Sequence, residues 1–266
     1  MPSLDTGTDK LLAETRDGVA IVTFNNPARH NAVTLSMWEA LGMLCDRFAD
    51  AHDVRVIVLR GAGDRAFVSG ADISEFDQHR AAADANEHYE RVSGRARDVL
   101  AALDKPVIAM IQGHCMGGGL MIALSADLRI SAEEGRFAIP AARLGVGYNY
   151  AGVRALVQVV GPSVASDILF SARHLDAAEA LRVGLINRVV PKAELEATVF
   201  ELAATIASNA PLSIRAAKRA ILASLAPDAH DPSEIDALIQ RCFESEDYAE
   251  GRRAFAEKRK PRFVGK

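Results

Sequence analysis

Residues 114–121 read HCMGGGLM, so three consecutive glycines stand in one of the most apolar stretches of the chain. Glycine inside a helix costs about 1 kcal/mol relative to alanine, and a triplet where a helix is expected to begin therefore needs a reason. The first N–H groups of a helix lack intrahelical partners, and the helix dipole makes that end electropositive. Without Cβ atoms, a carbonyl or phosphate oxygen can approach these groups closely. Tight packing of the helix explains the triplet equally well, so both interpretations stay open.

A second turn upstream strengthens the first interpretation. Residues 66–76 read AFVSGADISEF, and the SGAD sequence is typical of a tight turn that enters a helix, with Asp72 at the N-cap. This turn and the glycine triplet could each offer one backbone N–H to the same oxygen. Such oxyanion-hole donors are typically worth about 3–4 kcal/mol each. Together the two stretches predict a main-chain site that stabilises a developing negative charge.

The composition is that of a globular protein. The chain has 266 residues, 49% hydrophobic and 25% charged, enough for one large domain or a domain with an appendage. The net charge of −4 gives no support to nucleic-acid binding. Three cysteines without metal-ligand spacing, and no secretory signal, lead us to expect a reduced, cytoplasmic protein without a metal site.

Residues 106–126 contain no Asp, Glu, Lys or Arg and could be mistaken for a membrane span. Pro106 is the first residue of this segment, a position typical of the start of a strand. Gln112, His114 and the glycines interrupt the apolar run near its middle. A buried strand, turn and helix accounts for it better, so no membrane partner is expected.

The N-terminal half alternates predicted strands and helices, which indicates an α/β core. The predicted strands are 19–25, 54–61, 105–113, 128–131 and 136–140, and the predicted helices are 35–53 and 83–104. After residue 150 the pattern becomes almost purely helical. The predicted helices there are 151–160, 162–171, 177–183, 193–208, 210–223, 233–245 and 247–259. Because no linker separates the halves, we expect these helices to pack on the core or on another subunit.

Several motifs in a consistent order resemble the crotonase, or enoyl-CoA hydratase/isomerase, superfamily. They are FNNPARHNAV (24–33), AFVSGADISEF (66–76), KPVIAMIQGHCMGGG (105–119), RLGVGYNYAG (143–152), AAEALRVGLINRVV (177–190) and EDYAEGRRAFAEKRKPRF (246–263). The resemblance implies a spiral of β-β-α units with a helical C-terminal region that forms trimers, often paired into hexamers. It assigns residues 1–195 to an acyl-CoA-binding core and 196–266 to oligomerisation.

The resemblance also assigns the two donors to Ala71 and Gly118, whose N–H groups would hold the thioester oxygen of an acyl-coenzyme A. Stabilising negative charge on that oxygen makes the α-carbon acidic or the β-carbon electrophilic. One scaffold can therefore serve hydration, isomerisation, decarboxylation or hydrolysis, and the surrounding side chains choose among them. No separate cofactor is implied, because coenzyme A is part of the substrate.

Coenzyme A contacts are implied at both ends of the chain. The positions that match contacts to the adenine and pyrophosphate are Ala28, Arg29, Ser69 and Ala71. Arg29 could also reach a phosphate, or it could simply be an exposed loop residue. Phe255 and Lys258 match positions that meet the nucleotide held by a neighbouring subunit. The implied partners are an acyl-CoA thioester and further copies of the chain, as a trimer or a dimer of trimers.

The sequence departs from the hydratase pattern at both acidic positions. Hydratases of the family use two glutamates to orient and deliver water, and Met121 and Ala141 occupy those positions here. Leu120 and Met121 are expected to make the acyl pocket apolar where a hydratase carries a base. Glu75 is expected on a solvated helix face. Two-glutamate hydration is therefore not predicted.

Tyr148 is the polar candidate that remains. Its LGVGYN context resembles the methylmalonyl-CoA decarboxylase branch, although that branch has histidine at the position of Ala71 and glutamate at that of Met121. A tyrosine hydroxyl can hold a carboxylate or give a proton to an enolate. Three alternatives stay open: a decarboxylase or other lyase that uses Tyr148, a packing role for Tyr148, and an acyl-CoA-binding protein without turnover.

His114 and Cys115 lie beside the glycines. We expect His114 to be a buried, hydrogen-bonded turn residue rather than a general base. Side chains adjacent in sequence do not normally face each other, so no Cys–His nucleophile is predicted.

Overall fold

The structure of the chain is a computed structural model, which describes residues 3–72, 83–226, 228 and 231–266. Within these ranges, eleven strands form two sheets. The strands are β1 (Ser3–Leu4), β2 (Leu11–Arg16), β3 (Val19–Phe24), β4 (Val56–Gly61), β5 (Ala66–Val68), β6 (Val107–Ile111), β7 (His114–Met116), β8 (Leu128–Ala132), β9 (Arg136–Ala138), β10 (Leu175–Asp176) and β11 (Arg188–Val190).

The helices of the described residues follow the predicted pattern closely. They are α1 (Leu35–Asp50), α2 (Ala83–Ala102), α3 (Gly118–Leu124), α4 (Ala141–Leu144), α5 (Tyr150–Ser171), α6 (Ala177–Arg182), α7 (Lys192–Ser208), α8 (Pro211–Ser224), α9 (Pro232–Phe243) and α10 (Glu246–Ala256). The two helices predicted at 151–160 and 162–171 are the two halves of α5. A break at Gly161, with φ of 76°, precedes Pro162 and divides this helix where the sequence predicts.

The larger sheet has the strand order β1-β2-β3-β4-β6-β8-β11. Strand β2 pairs antiparallel with β1 and β3, whereas β3, β4, β6, β8 and β11 are parallel. All six residues of β3 are buried, as expected for a β-branched strand covered on both faces.

The smaller sheet has the order β10-β9-β7-β5, and its strands alternate along the chain with those of the larger sheet. The pairs β4–β5, β6–β7 and β8–β9 each place one strand in each sheet, and each pair is followed by a helix. This repeat is the predicted spiral of β-β-α units. Residues 106–126 fall on β6, β7 and α3, so the prediction of a buried strand, turn and helix is confirmed.

Two hydrophobic clusters flank the larger sheet. The larger cluster lies between the sheets and helices α1, α3 and α5 and contains Phe24, Trp38 and Phe67. The smaller cluster lies on the opposite face, where α7 contributes Leu195, Val199 and Ala203. Residue 195, the expected end of the core, therefore lies within a helix that covers the sheet.

The C-terminal helices are tied to this core by buried charges. Lys218 on α8 donates to the Asp127 carboxylate at 2.8 Å and to the carbonyl of Lys105 at 2.9 Å. The chain after α10 turns back, so that the N–H groups of Val264 and Gly265 donate to buried Asp247. Helices α7 and α8 therefore pack on the core, which is one of the two alternatives expected from the sequence.

Within the described ranges, one helix, α5, is long enough and apolar enough to cross a membrane, judged by its length and composition alone. Its break at Gly161 lies inside that stretch.

Candidate functional site

Each glycine of the triplet has its own structural reason. Gly117 has φ of 50° and ψ of −116°, a conformation that favours glycine. A Cβ on Gly119 would lie 2.1 Å from the carbonyl oxygen of Val68, so the bare backbone lets α3 pack directly on β5. Gly118 is different, because its Cβ would meet only ordinary contacts, 3.7 Å from the Ala71 nitrogen and 3.8 Å from the Trp38 ring. Backbone conformation explains Gly117 and packing explains Gly119, whereas Gly118 leaves space beside Ala71.

The turn that carries Ala71 is held in place by backbone hydrogen bonds. The N–H of Val33 donates to the Gly70 carbonyl at 2.8 Å, and the N–H of Asp72 donates to the Val33 carbonyl at 3.0 Å. These bonds form a parallel bridge between Val33 and Ala71, in which the N–H of Ala71 points away from Val33. The turn is therefore fixed without using this donor.

The two predicted donors converge on one cavity. Ala71 and Gly118 both line a space of about 110 Å³. Neither N–H group has an acceptor within the described ranges of the chain. A volume of this size equals that of roughly four waters, since each water occupies about 30 Å³ in the liquid. Ala71 and Gly118 therefore border one small space and have main-chain donors that no described residue uses.

Residues from α1, α2 and the loop before α5 also line the cavity. Of the predicted residues, Met121 and Tyr148 line it; the other lining residues are Trp38, Tyr89, Glu90, Ser93, Arg97, Val146, Gly147 and Asn149. The Trp38 indole donates to the Tyr89 hydroxyl at 2.9 Å, which joins α1 to α2 behind the cavity.

Tyr148 is held against the glycine turn. Its hydroxyl donates to the Gly117 carbonyl at 3.2 Å, and the Met121 N–H donates to the same oxygen at 3.1 Å. Burial raises the pKa of Tyr148, and the charge of Arg97 only partly opposes this rise. The phenol therefore stays protonated at neutral pH and can act as a proton donor but not as a base. A Cβ on Gly152 would lie 2.7 Å from Met121 and 3.3 Å from the Tyr148 ring, so Gly152 makes room for both.

Glu90 and Arg97 are functional candidates that sequence reasoning missed. They lie seven residues apart on α2, which places them two turns apart on one face. Glu90 accepts a hydrogen bond from the Asn149 side chain at 3.4 Å. The available signal is the buried stripe of Tyr89, Ser93, Ala96 and Leu100. Glu90 directly follows Tyr89, and Arg97 directly follows Ala96. Both therefore lie at the margin of the buried face.

Other predicted acyl contacts lie outside the cavity. Leu120 is fully buried in the core and does not line the cavity. Ala141 begins α4, packs against the core, and is likewise absent from the lining. The apolar character expected after the glycines therefore reaches the cavity through Met121 alone.

The predicted coenzyme A contacts occupy two surfaces. Ala28 and Arg29 are exposed in a short 3₁₀ turn, Pro27–Arg29, and the Ser69 hydroxyl donates to the Arg29 carbonyl at 3.2 Å. Phe255 is 87% exposed and lines a groove among α8, α9 and α10, while Lys258 follows α10 with φ of 54°. Their roles toward coenzyme A stay predictions.

His114 and Cys115 do not line the cavity. His114 is half-buried, its backbone N–H donates to the Arg65 carbonyl at 3.2 Å, and its ring stacks on His30 with centroids 5.7 Å apart. Burial raises the pKa of Cys115, so its thiol stays neutral. Glu75 lies outside the described residues. Within the residues that are described, no group of three or more His, Cys, Asp or Glu could hold a metal ion.

Comparison with known proteins shows one consistent likeness. A sequence model described as enoyl-CoA hydratase/isomerase matches residues 14–266. A short-chain-enoyl-CoA hydratase from Clostridium acetobutylicum is 34% identical over 95% of this chain and 96% of its own. A carnitinyl-CoA dehydratase from Proteus mirabilis is 35% identical over 95% of this chain and 97% of its own.

Solved structures agree with this likeness. The crystal structure of an enoyl-CoA hydratase/carnithine racemase from Magnetospirillum magneticum superposes with a TM-score of 0.93. It is 39% identical in sequence and covers 97% of both chains.

Proposed function

Because the chain belongs to the enoyl-CoA hydratase/isomerase family, and is thus an acyl-CoA-binding enzyme with the crotonase fold, we propose that the cavity holds a short acyl group as its coenzyme A thioester. The N–H groups of Ala71 and Gly118 stabilise the thioester enolate. One observation carries this proposal: two main-chain donors line one small cavity, and neither has an acceptor in the described chain. Such donors are worth about 3–4 kcal/mol each when charge develops on the oxygen.

The side chains around the donors argue against two-carboxylate hydration. Neither Met121 nor Ala141 can orient or activate water, and Glu90 is the one carboxylate among the described residues that line the cavity. A general acid or base contributes about 10²–10⁴-fold, so the loss of two such groups removes most of a hydratase's rate. Glu90 supports at most a slower, one-carboxylate reaction.

Decarboxylation of a thioester with a carboxylate on its α-carbon is the second candidate, and the protonated Tyr148 favours it. In this reaction the bond between the α-carbon and the carboxylate breaks, and CO₂ leaves. The electron pair becomes the enolate, whose oxygen is held by Ala71 and Gly118. Tyr148 then gives its proton to the α-carbon and regains one from water. No general base is needed, which suits a cavity with Met121 at the position of the hydratase base.

A direct comparison of substrates tests these proposals. Purified protein is incubated with crotonyl-CoA, followed by absorbance of the conjugated thioester, and with methylmalonyl-CoA, followed by mass. We expect slow hydration and measurable loss of CO₂, both strongly reduced in the Gly118→Ala variant. Hydration at the rate of a two-glutamate enzyme would overturn the decarboxylase candidate. Binding of acyl-CoA without turnover of either compound would instead favour the non-catalytic alternative.

We further propose that the chain works as a trimer or a dimer of trimers. The exposed aromatic residues of the C-terminal groove, Phe243, Tyr248 and Phe255, support this assembly, as does the exposed Phe170 of α5. Sedimentation of the full chain, and of a chain that lacks residues 247–266, tests it, since an unchanged trimer would show that these residues are not required. A cytoplasmic location and independence from a separate cofactor stay predictions.

A further inference from the structure

Arg97 places a positive charge in the cavity, and no described residue forms an ion pair with it. Its side chain is half-buried, and its Nε donates to the Ser93 carbonyl on the preceding turn of α2 at 3.1 Å. In the described part of the chain, Arg97 makes no ion pair. The N–H groups on the two terminal nitrogens of the guanidinium therefore have no acceptor among the described residues.

Two other charged residues of α2, Arg95 and Glu90, differ from Arg97 in their contacts. Arg95, two residues earlier, points away from the cavity and pairs with Asp46 at 2.6 Å. Glu90 is the other charged group that lines the cavity, and its carboxylate is contacted by Asn149 rather than by Arg97. The cavity thus combines a contacted carboxylate with an uncompensated guanidinium.

A half-buried guanidinium selects for a particular chemistry. It offers up to five N–H donors in a planar fork that matches both oxygens of a carboxylate, and it stays charged at every physiological pH. Hydrogen bonds between charged groups are shorter and roughly twice as strong as neutral ones. An acyl group that ends in a methyl would leave these N–H donors without an acceptor inside the cavity.

We propose that Arg97 binds a carboxylate on the acyl group, so that the substrate is the coenzyme A monothioester of a short dicarboxylic acid. This inference rests on the proposed function, because it requires the acyl group to occupy the cavity. Arg97 and the two oxyanion donors line the same space of about 110 Å³, which is too small for a nucleotide. The anion that Arg97 meets is therefore part of the acyl group and not a phosphate of coenzyme A.

Three ligands that differ only at the end of the acyl chain test the proposal. Butyryl-CoA ends in a methyl, succinyl-CoA in a carboxylate, and β-alanyl-CoA in an ammonium. None of them carries a carboxylate on the α-carbon, so none can lose CO₂ through the enolate. Binding to the full-length protein is measured by calorimetry with fresh succinyl-CoA, together with free coenzyme A. We expect succinyl-CoA to bind about 10- to 100-fold more tightly than butyryl-CoA.

Variants assign the preference to its residue. Arg97→Gln should remove the preference for succinyl-CoA and change butyryl-CoA binding less than threefold. Arg97→Lys, which keeps the charge but not the fork, should restore part of it. The matched control Arg95→Gln removes a paired arginine of the same helix and should leave all three affinities unchanged. Circular dichroism establishes whether each variant is folded. If Arg97→Gln does not fold, the preference of the wild-type protein for succinyl-CoA over butyryl-CoA decides the proposal.

Each other outcome has a defined meaning. Equal binding of succinyl-CoA and butyryl-CoA by the wild type would overturn the proposal and leave the proposed function intact. A preference for β-alanyl-CoA would overturn it in favour of a cationic acyl group that meets Glu90. Equal losses for all ligands in Arg97→Gln would show that Arg97 is structural. Failure of every acyl-CoA to bind better than coenzyme A would instead refute the proposed function itself, and this inference with it.

Discussion

Replacement of Gly118 by alanine should raise the stability of the protein and lower its activity. The added methyl would lie 3.7 Å from the Ala71 nitrogen and 3.8 Å from the Trp38 ring, so no atom of the described residues has to move. Gly118 lies in the first turn of α3, and a helical Gly→Ala change stabilises by up to about 1 kcal/mol. The variant should therefore melt at the wild-type temperature or a few degrees above it.

The same methyl projects into the space between the two donors. An acceptor oxygen must come within about 2.9 Å of the Ala71 nitrogen, and the methyl would already be in van der Waals contact with that nitrogen. Displacement of the oxygen from one donor costs about 3–4 kcal/mol in the transition state, or roughly 10²–10³-fold in kcat/KM. Affinity for free coenzyme A, which has no thioester carbonyl, should stay unchanged.

Two comparison variants make this result interpretable. Gly42→Ala adds a methyl within α1, where the nearest atom is the flexible end of Arg95 at 3.0 Å, and should leave kcat/KM unchanged. Gly119→Ala would place a methyl 2.1 Å from the Val68 carbonyl oxygen and should destabilise the fold. Thermal melting and kcat/KM with the best acyl-CoA are measured for all three. Wild-type turnover by a folded Gly118→Ala enzyme would refute the oxyanion assignment.

Three further predictions concern side chains. Tyr148→Phe should lower turnover by about 10²–10⁴-fold with little change in KM, as expected for a proton donor, and an unchanged kcat would reduce Tyr148 to its hydrogen bond with Gly117. Crotonyl-CoA hydration should be several orders of magnitude slower than in a two-glutamate hydratase, and Glu90→Gln should lower the remainder by at least about 10²-fold; continuous absorbance measures both. Burial, with the nearby charges of His30 and other cationic groups, lowers the pKa of His114 below its ordinary 6.5. Below pH 6.5 the unfolded chain then binds a proton that the folded chain does not, so stability should fall on acidification. His114→Asn should lessen this fall in melts between about pH 7.5 and 5, and an identical pH dependence in both proteins would contradict the assignment.

The regular elements of the fold were predictable where local periodicity is strong. Strand β3 and helices α1 and α7 begin within one residue of the predicted positions, because each buries a continuous apolar face. Six of the described strands were not predicted, namely β1, β2, β5, β7, β10 and β11, and the reason is clearest for β5 and β7. Each has three residues, and β7 is defined by its register with β5 and β9, far away in sequence. Such short strands have almost no local signal of their own.

The parts of the candidate site also differ in how well the sequence predicts them. The turns that carry the two candidate donors could be predicted, because their backbone needs glycine at Gly70 and Gly117, and glycine is visible in a sequence. Glu90 and Arg97 were not, because α2 carries many charges and only its rotation decides which of them face the cavity. That rotation depends on the packing of Tyr89 against Trp38, which lies 51 residues away. Which charged side chains of α2 line the cavity thus depends on a tertiary contact.

In the proposed function, this division accounts for a site that has neither hydratase glutamate and still has its two main-chain donors. The positions of Ala71 and Gly118 depend on the bridge to Val33 and on the close contact of Gly119 with Val68, all of which are backbone interactions. Substitutions at positions 121 and 141 leave these interactions untouched, so the oxyanion geometry persists while the acid–base chemistry changes. In the proposed function, the choice of reaction then depends on Tyr148 and on Glu90 and Arg97 of α2. For that reason, exchanging Met121 for glutamate alone should not produce an efficient hydratase: it would bury a carboxylate beside Glu90 without supplying the second acid of the pair.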